Sequence, residues 1–290
     1  MPTVEFIKTG PITTLQDNGR YGVQHIGLTP SGAIDKRLMH YVNSELGNKL
    51  DHPVLEFALQ GPTLRIQGNV IICCAGDFDF QIEKQNGKII TGIPCKIYML
   101  ESNDIISIGV CKNHTYGYIG FAHDFLVEPL FDSYSIDTYA GIGPNNGKVF
   151  CNGDMLALSI CQGVSIGVPG IFPDMTVPTE IKISKGPHWD YCVNANDFLE
   201  QRFLVTHKRN RIGMRLQGPK IKNNLPDDML SLGNIKGAVQ ITPGGDTIAL
   251  LSDHGPSGGY PKIAVICNDD YEKLCQMPTN WYFKFKLKDD

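Results

Sequence analysis

The sequence predicts a mainly β protein built of barrels or sandwiches, with a few short helices. Short apolar or alternating runs recur along its 290 residues, and Gly, Asn and Asp separate them. Helical periodicity, by contrast, is confined to three places. Phe78-Asp79-Phe80-Gln81-Ile82 alternates, Asn86-Gly87 offers a hairpin turn, and Lys88-Ile89-Ile90 resumes the pattern. Further strands are expected at Thr63–Ile66, Val70–Ala75, Lys96–Leu100, Ile105–Ile108, Thr115–Phe121, Leu156–Ile160, Met214–Gln217, Ala238–Ile241 and Ile263–Cys267. Asn103-Asp104-Ile105-Ile106-Ser107-Ile108 is echoed by Gly153-Asp154-Met155-Leu156-Ala157-Leu158.

Asp35 is placed to cap a helix whose Leu38, Val42 and Leu46 share a face, with Gly47 as its stop. A second helix begins near Asn268–Asp270, buries Tyr271, Leu274 and Cys275, and ends before Pro278. A third covers about Ala195–Gln201. The segment from Pro169 to Pro178, rich in Pro and Gly, divides the chain. The expected halves are 1–168, β-rich with one capped helix, and 180–290. Pro30-Ser31-Gly32 and Pro256-Ser257-Gly258, each ahead of a helix, suggest an internal repeat.

Composition narrows the function. Hydrophobic residues make up 42% and charged residues 19%, as in globular proteins. The 26 basic and 30 acidic residues leave a net charge of −4, with no Lys/Arg stripe, which argues against a nucleic-acid partner. Apolar runs such as Val70–Ala75 are too short to span a membrane, and the N-terminal residues do not read as a secretory signal. The nine cysteines show no C-x-x-C or zinc spacing, and Cys73, Cys74, Cys161 and Cys267 sit in apolar runs. A reduced, cytoplasmic protein without a metal site is expected.

Two familiar motifs fail on context. Gly163-Val164-Ser165-Ile166-Gly167 matches G-x-S-x-G, but the prolines after it forbid the helix that a nucleophile elbow requires. Gly143-Pro144-Asn145-Asn146-Gly147-Lys148-Val149 is one residue short of a phosphate loop and lacks its hydroxyl, so a hairpin at Asn146-Gly147 is expected instead.

Three clusters carry more chemistry. Leu251-Ser252-Asp253-His254-Gly255-Pro256-Ser257-Gly258-Gly259-Tyr260-Pro261 follows an acid and an imidazole with glycines that admit positive φ and bare N–H groups, and His254 could shuttle a proton. Thr13–Arg20 and Ser31–Asp35 offer hydroxyls, acids and a guanidinium. Asn210-Arg211-Ile212-Gly213-Met214-Arg215 spaces two arginines four apart, which on a strand would point both forks into one cleft to grip a carboxylate.

Together the clusters resemble the family of the 5-oxoprolinase C protein (PxpC), KipA and allophanate hydrolase subunit 2, of the biotin-dependent carboxyltransferase type. The matching residues are Gly10–Gly22, Ser31–Asp35, Asn43, Glu56-Phe57, Asn210–Gly218, Gly237–Gln240 and Gly258–Ala264, in order across nearly the whole chain. The resemblance implies cyclophilin-like β-barrel units. It also implies a KipI-like partner protein, a LamB/YcsF-like third component, ATP used with those partners, and a small amide substrate. Biotin belongs to the carboxylase branch, and with no lysine flanked by methionines it is not attached to this chain. On this reading Asp17, Asp35, Asp253, His254 and Tyr260 are catalytic. Arg20, Ser31, Gly32, Asn210, Arg211, Arg215, Gly258 and Gly259 bind substrate, and the Asp17 and Asp253 clusters converge.

The chain departs from the family pattern at three places. Asp253-His254-Gly255-Pro256-Ser257 replaces Asp-x-Gln-Thr-Thr, Asp132-Ser133-Tyr134-Ser135-Ile136 lacks an expected arginine, and His123-Asp124 replaces a Gly-Gly pair. One component of an ATP-dependent 5-oxoprolinase, or an amide or urea carboxyltransferase relative inactive alone, is the expected function. A non-catalytic KipA-like regulator that binds a KipI-type kinase inhibitor is the first alternative, and prolyl isomerisation, from the barrel alone, the second.

Overall fold

The computed structural model describes residues 1–160, 170–224 and 229–288. The G-x-S-x-G segment, Cys161 and Pro169 lie outside the described residues. Contacts divide the chain into two units, Met1–Arg20 with Ser31–Asp174, and Tyr21–Pro30 with Met175–Asp290.

The first unit's strands begin with β1 (Thr3–Lys8), β2 (Ile12–Gln16), β3 (Val54–Ala58), β4 (Thr63–Gln67), β5 (Val70–Ala75) and β6 (Phe80–Glu83). They continue with β7 (Ile89–Gly92), β8 (Ile97–Leu100), β9 (Ile105–Ile108), β10 (Tyr116–Phe121) and β11 (Met155–Ala157). One sheet has the order β11-β1-β4-β9-β6-β7, the other β2-β3-β10-β5-β8. Alternation explains the packing. Val4 and Phe6 of β1, Leu64 and Ile66 of β4 and Ile106 of β9 meet Leu15, Leu55, Phe57 and Ile72 of the other sheet in one core. Helix α1 (Lys36–Glu45), capped by Asp35, packs on β5 and β10 through a face including Leu38 and Val42. Its C-cap is Leu46, one residue ahead of the expected Gly47.

The sequence echo is a repeated turn. Asn103 N donates to Ile66 O and Ile66 N to Asp104 O; Gly153 N donates to Phe6 O and Phe6 N to Asp154 O. Each aspartate also accepts, at 2.8 Å, the backbone N–H three residues before it, from Glu101 and Cys151. The Asn86-Gly87 hairpin joins β6 to β7 as expected. Asn146-Gly147 does not form a hairpin. It lies in a 3₁₀ turn, Asn145–Gly147, with Asn146 at φ 54°, because no strand pair flanks it. The expected strand Leu156–Ile160 shortens to β11.

The second unit is a closed barrel in the order β12-β19-β16-β17-β14-β13-β20. Its strands are β12 (Glu180–Lys185), β13 (Phe203–Arg209), β14 (Gly213–Gln217), β16 (Ala238–Ile241), β17 (Thr247–Leu250), β19 (Lys262–Ile266) and β20 (Tyr282–Leu287). A two-stranded ribbon, β15 (Leu232–Gly233) with β18 (Ser257–Gly258), stands apart from it. Helix α2 (Ala195–Glu200) contributes Phe198, stacked on Phe285 with ring centroids 4.8 Å apart and edge-on to Phe203. Helix α3 (Asn268–Gln276) buries Tyr271, Leu274 and Cys275, as its periodicity predicts. Among the described residues no helix is long and apolar enough to cross a membrane.

Candidate functional site

In the first unit Asp17 is a hub. Its carboxylate accepts from Gly19 N at 2.7 Å, Tyr134 N at 2.6 Å, Ser133 Oγ at 2.7 Å and Ser135 Oγ at 2.5 Å. Three of these four donors fix the segment 133–135 against the end of β2. Arg20 is buried beside it and donates to the Ser135 carbonyl. Asp17 O accepts from Ala33 N at 2.8 Å, which ties in the second predicted cluster.

The Ser31–Asp35 loop enters α1 through strained backbone, with Ser31 at φ 52° and Gly32 at φ 89°. A Cβ on Gly32 would lie 2.9 Å from the Asn18 carbonyl carbon and oxygen. Gly32→Ala is therefore expected to cost about 1–3 kcal/mol in chemical unfolding, from strain and the clash together. Below the loop, Glu56 accepts from Ile34 N at 2.7 Å and from Tyr118 Oη at 2.8 Å, while Tyr118 accepts from Asp35 N at 2.7 Å. Asp35 caps α1 and pairs with Arg37 through both carboxylate oxygens, at 3.0 and 2.8 Å. Its observed duties are structural.

Asp17, Asn18 and Gly19 border a cleft of about 760 Å³ that His52, His123, Asp124, Asp132 and Tyr134 also line. Two of the three departures from the family pattern thus fall in this cleft. His123 Nε2 accepts from Ile71 N and its Nδ1 meets Ser159 O, so this imidazole bridges backbone. His52 lies 3.3 Å from Asp124, and burial holds its pKa below the ordinary histidine value against that acid's pull.

In the second unit Arg211 and Asp253 form a buried bidentate pair, Nε to Oδ2 at 2.8 Å and Nη2 to Oδ1 at 2.9 Å. The backbone reinforces it, since Asp253 N donates to Arg211 O and Leu251 N to Ile212 O. This corrects the expectation of two parallel arginine forks. Asn210 Oδ1 accepts from Ile212 N and Gly213 N, closing a turn, and β14 starts only at Gly213. Arg211 therefore sits in the turn. Arg215, on the exposed face of β14, lines a separate cleft of about 530 Å³ with Lys208, Lys220 and Asp246.

His254 is buried next to the pair, with Nδ1 2.9 Å from Gly255 O. That carbonyl places the proton on Nδ1 and leaves Nε2 as the lone-pair nitrogen. Burial lowers the His254 pKa, opposed by the Gly255 bond and by Asp253. Burial thus makes this imidazole harder to protonate than an exposed one.

The loop that follows is extended. Gly255, Gly258 and Gly259 do not adopt positive φ, contrary to the expectation for them, because Ser257–Gly258 pairs as β18. Ser257 and Gly258 therefore do not repeat the conformation of Ser31 and Gly32. Asn234 Nδ2 donates to Gly255 O at 3.0 Å, and Gln240 Nε2 donates to Asn234 Oδ1 at 3.0 Å. Tyr260 is 42% exposed at the end of the loop.

Sequence reasoning expected one converging site; the structure places Asp17, Arg20, Ser31, Gly32 and Asp35 in the first unit and Asn210, Arg211, Asp253 and His254 in the second. Sequence reasoning missed Ser133, Ser135, Tyr118, Asn234 and Lys262 as their neighbours. Among the described residues, no group of three or more His, Cys, Asp or Glu is placed to hold a metal ion.

Known proteins share this architecture. The chain is 27% identical over 279 residues to the C subunit of 5-oxoprolinase from Escherichia coli, covering 95% of this chain and 88% of that protein. It is 28% identical over 307 residues to urea amidolyase of Saccharomyces cerevisiae, covering 94% of this chain but 16% of that enzyme. The crystal structure of TTHA0988 superposes with a TM-score of 0.86 at 26% identity, covering 99% of this chain and 56% of that one. The chain thus spans just over half of that solved protein. Residues 26–287 match the model of the carboxyltransferase domain, subdomains A and B. With that match running from the loop ahead of α1 through the last barrel strand, the chain belongs to the carboxyltransferase-domain family of subdomains A and B.

Proposed function

We propose that this chain is the C-type component of an ATP-dependent 5-oxoprolinase, opening a cyclic amide in the cytoplasm together with a KipI-like protein and a LamB/YcsF-like protein. The carrying observation is the extent of likeness, which takes in 88% of the bacterial 5-oxoprolinase protein and only 16% of the yeast urea amidolyase. The local chemistry supports it. A lactam presents a carbonyl oxygen and an N–H, and His254 offers a fixed lone pair beside the Arg211–Asp253 pair.

ATP is assigned to the assembly rather than to this chain. Among the described residues no short glycine loop joins a strand to a helix as a phosphate cradle would, and Asn145–Gly147 is a closed 3₁₀ turn. In a carboxylating relative, biotin would be carried on another chain or domain.

The test is 5-oxoproline-dependent ATP hydrolysis by the chain co-purified with its KipI-like and LamB/YcsF-like partners. Hydrolysis is expected only with all three present, and at background with this chain alone. Turnover of urea and bicarbonate instead would move the assignment to the carboxyltransferase branch. A second reading, a KipA-like regulator, draws on the departures His123, Asp124 and Tyr134 in the first unit's cleft. Tight binding to the KipI-like partner with no turnover of any amide would put that reading first.

A further inference from the structure

Lys262 opens β19 and is 4% exposed. Such burial of an ammonium is costly unless an anion compensates it. Among the described residues its Nζ reaches only two backbone carbonyls, Gly258 O at 3.3 Å and Leu232 O at 3.4 Å, both near the limit of a hydrogen bond. Among the described residues no carboxylate pairs with it, and burial alone lowers its pKa. The neighbours named by its contacts are polar side chains without a carboxylate. Gln240 stands opposite Lys262 in the β16–β19 register, Asn234 joins Gln240 to the Gly255 carbonyl, and His188 Nδ1 accepts from Lys262 N at 3.0 Å. A Cβ on Gly258 would sit 3.2 Å from Asn234 Nδ2 and 3.6 Å from Gln240 Nε2, so the two amides line the same spot. Arg211, the other buried cation of this unit, is already held bidentately by Asp253.

We propose that Lys262 anchors a carboxylate group of the ligand, with Gln240 and Asn234 beside it, at the β15–β18 ribbon. The group is either the substrate's own carboxylate or the carboxyl unit being transferred. The proposal deepens the 5-oxoprolinase reading, on which it rests, by assigning the anion-binding element that Arg211 cannot supply. An incoming carboxylate would replace two weak carbonyl contacts with one charge-assisted bond and would neutralise the buried ammonium.

The test measures binding to the full chain by thermal shift and calorimetry, using 5-oxoproline, its neutral counterpart 2-pyrrolidinone, bicarbonate and urea. Wild type should be stabilised by 5-oxoproline if the substrate supplies the anion, or by bicarbonate if the transferred group does, and by neither neutral compound. Lys262→Met should weaken that binding at least tenfold while melting no lower than wild type without ligand, because it removes a buried charge at constant length. Lys262→Arg should retain part of the response. Three results would overturn the proposal: no anion-selective stabilisation of wild type, a Lys262→Met variant that binds as wild type does, or one that melts several degrees lower. The last would make Lys262 a structural clip for the ribbon. Because binding is the readout, absent ATP turnover would remove the 5-oxoprolinase assignment without deciding this one.

Discussion

Asp253→Ala is expected to destabilise the second unit by about 3–5 kcal/mol, since it removes the bidentate carboxylate that holds the buried Arg211 guanidinium. The pair is 5% and 3% exposed, too dry for water to take over the lost bonds. Both tryptophans, Trp189 and Trp281, lie in this unit, so urea unfolding followed by their fluorescence reports it selectively. Replacing both partners with apolar residues, as in Arg211→Met with Asp253→Leu, should recover much of the loss, because no unpaired charge is left behind. A loss below about 1 kcal/mol for Asp253→Ala would assign the pair to a surface-like, screened environment.

Asp17→Asn should destabilise the first unit. Oδ1 accepts from Gly19 N and the Ser133 and Ser135 hydroxyls, and Oδ2 from Tyr134 N, so a carboxamide that keeps its oxygen at Oδ1 turns its NH₂ onto the Tyr134 N–H. The stranded Tyr134 donor costs about 1–3 kcal/mol, and a loss of that size is expected. Amide exchange at Tyr134 should accelerate by roughly tenfold to a hundredfold, and the cleft it borders should loosen with it. Unchanged protection at Tyr134 would show that the hub does not hold the 133–135 segment.

The strands that packing repeats locally were legible from sequence. β6, β7 and β9 announce themselves by alternation, and the two aspartate turns by their shared residues. Strands β1, β2 and β3 were not marked, although Glu56 inside Val54-Leu55-Glu56-Phe57-Ala58 is itself a signal. A carboxylate in an apolar run must find donors, and it finds Ile34 N and Tyr118 Oη. Lys262 ahead of Ile263-Ala264-Val265-Ile266 carries the same message.

Other features depend on contacts that no local pattern encodes. Asp17 was recognisable as chemistry, but its partners Ser133 and Ser135 lie 116 and 118 residues away. The four-residue spacing of Arg211 and Arg215 misled because period-two reasoning assumes an unbroken strand, and the Asn210 turn breaks it. Likewise, Pro-Ser-Gly in two places proved compatible with a left-handed loop in one and a paired strand in the other.

The parallel pairing of β12 with β20, Glu180 opposite Lys284 through Ile183 opposite Leu287, sets a schedule for biosynthesis. A nascent chain translated as far as Gln276 holds six of the seven barrel staves, yet β12 and β13 still present raw edges. Only the final strand seals both, so this barrel must close after nearly all of its residues have been made. Until then its unpaired edges are open to other chains, a stage at which a ribosome-associated chaperone would have most to protect.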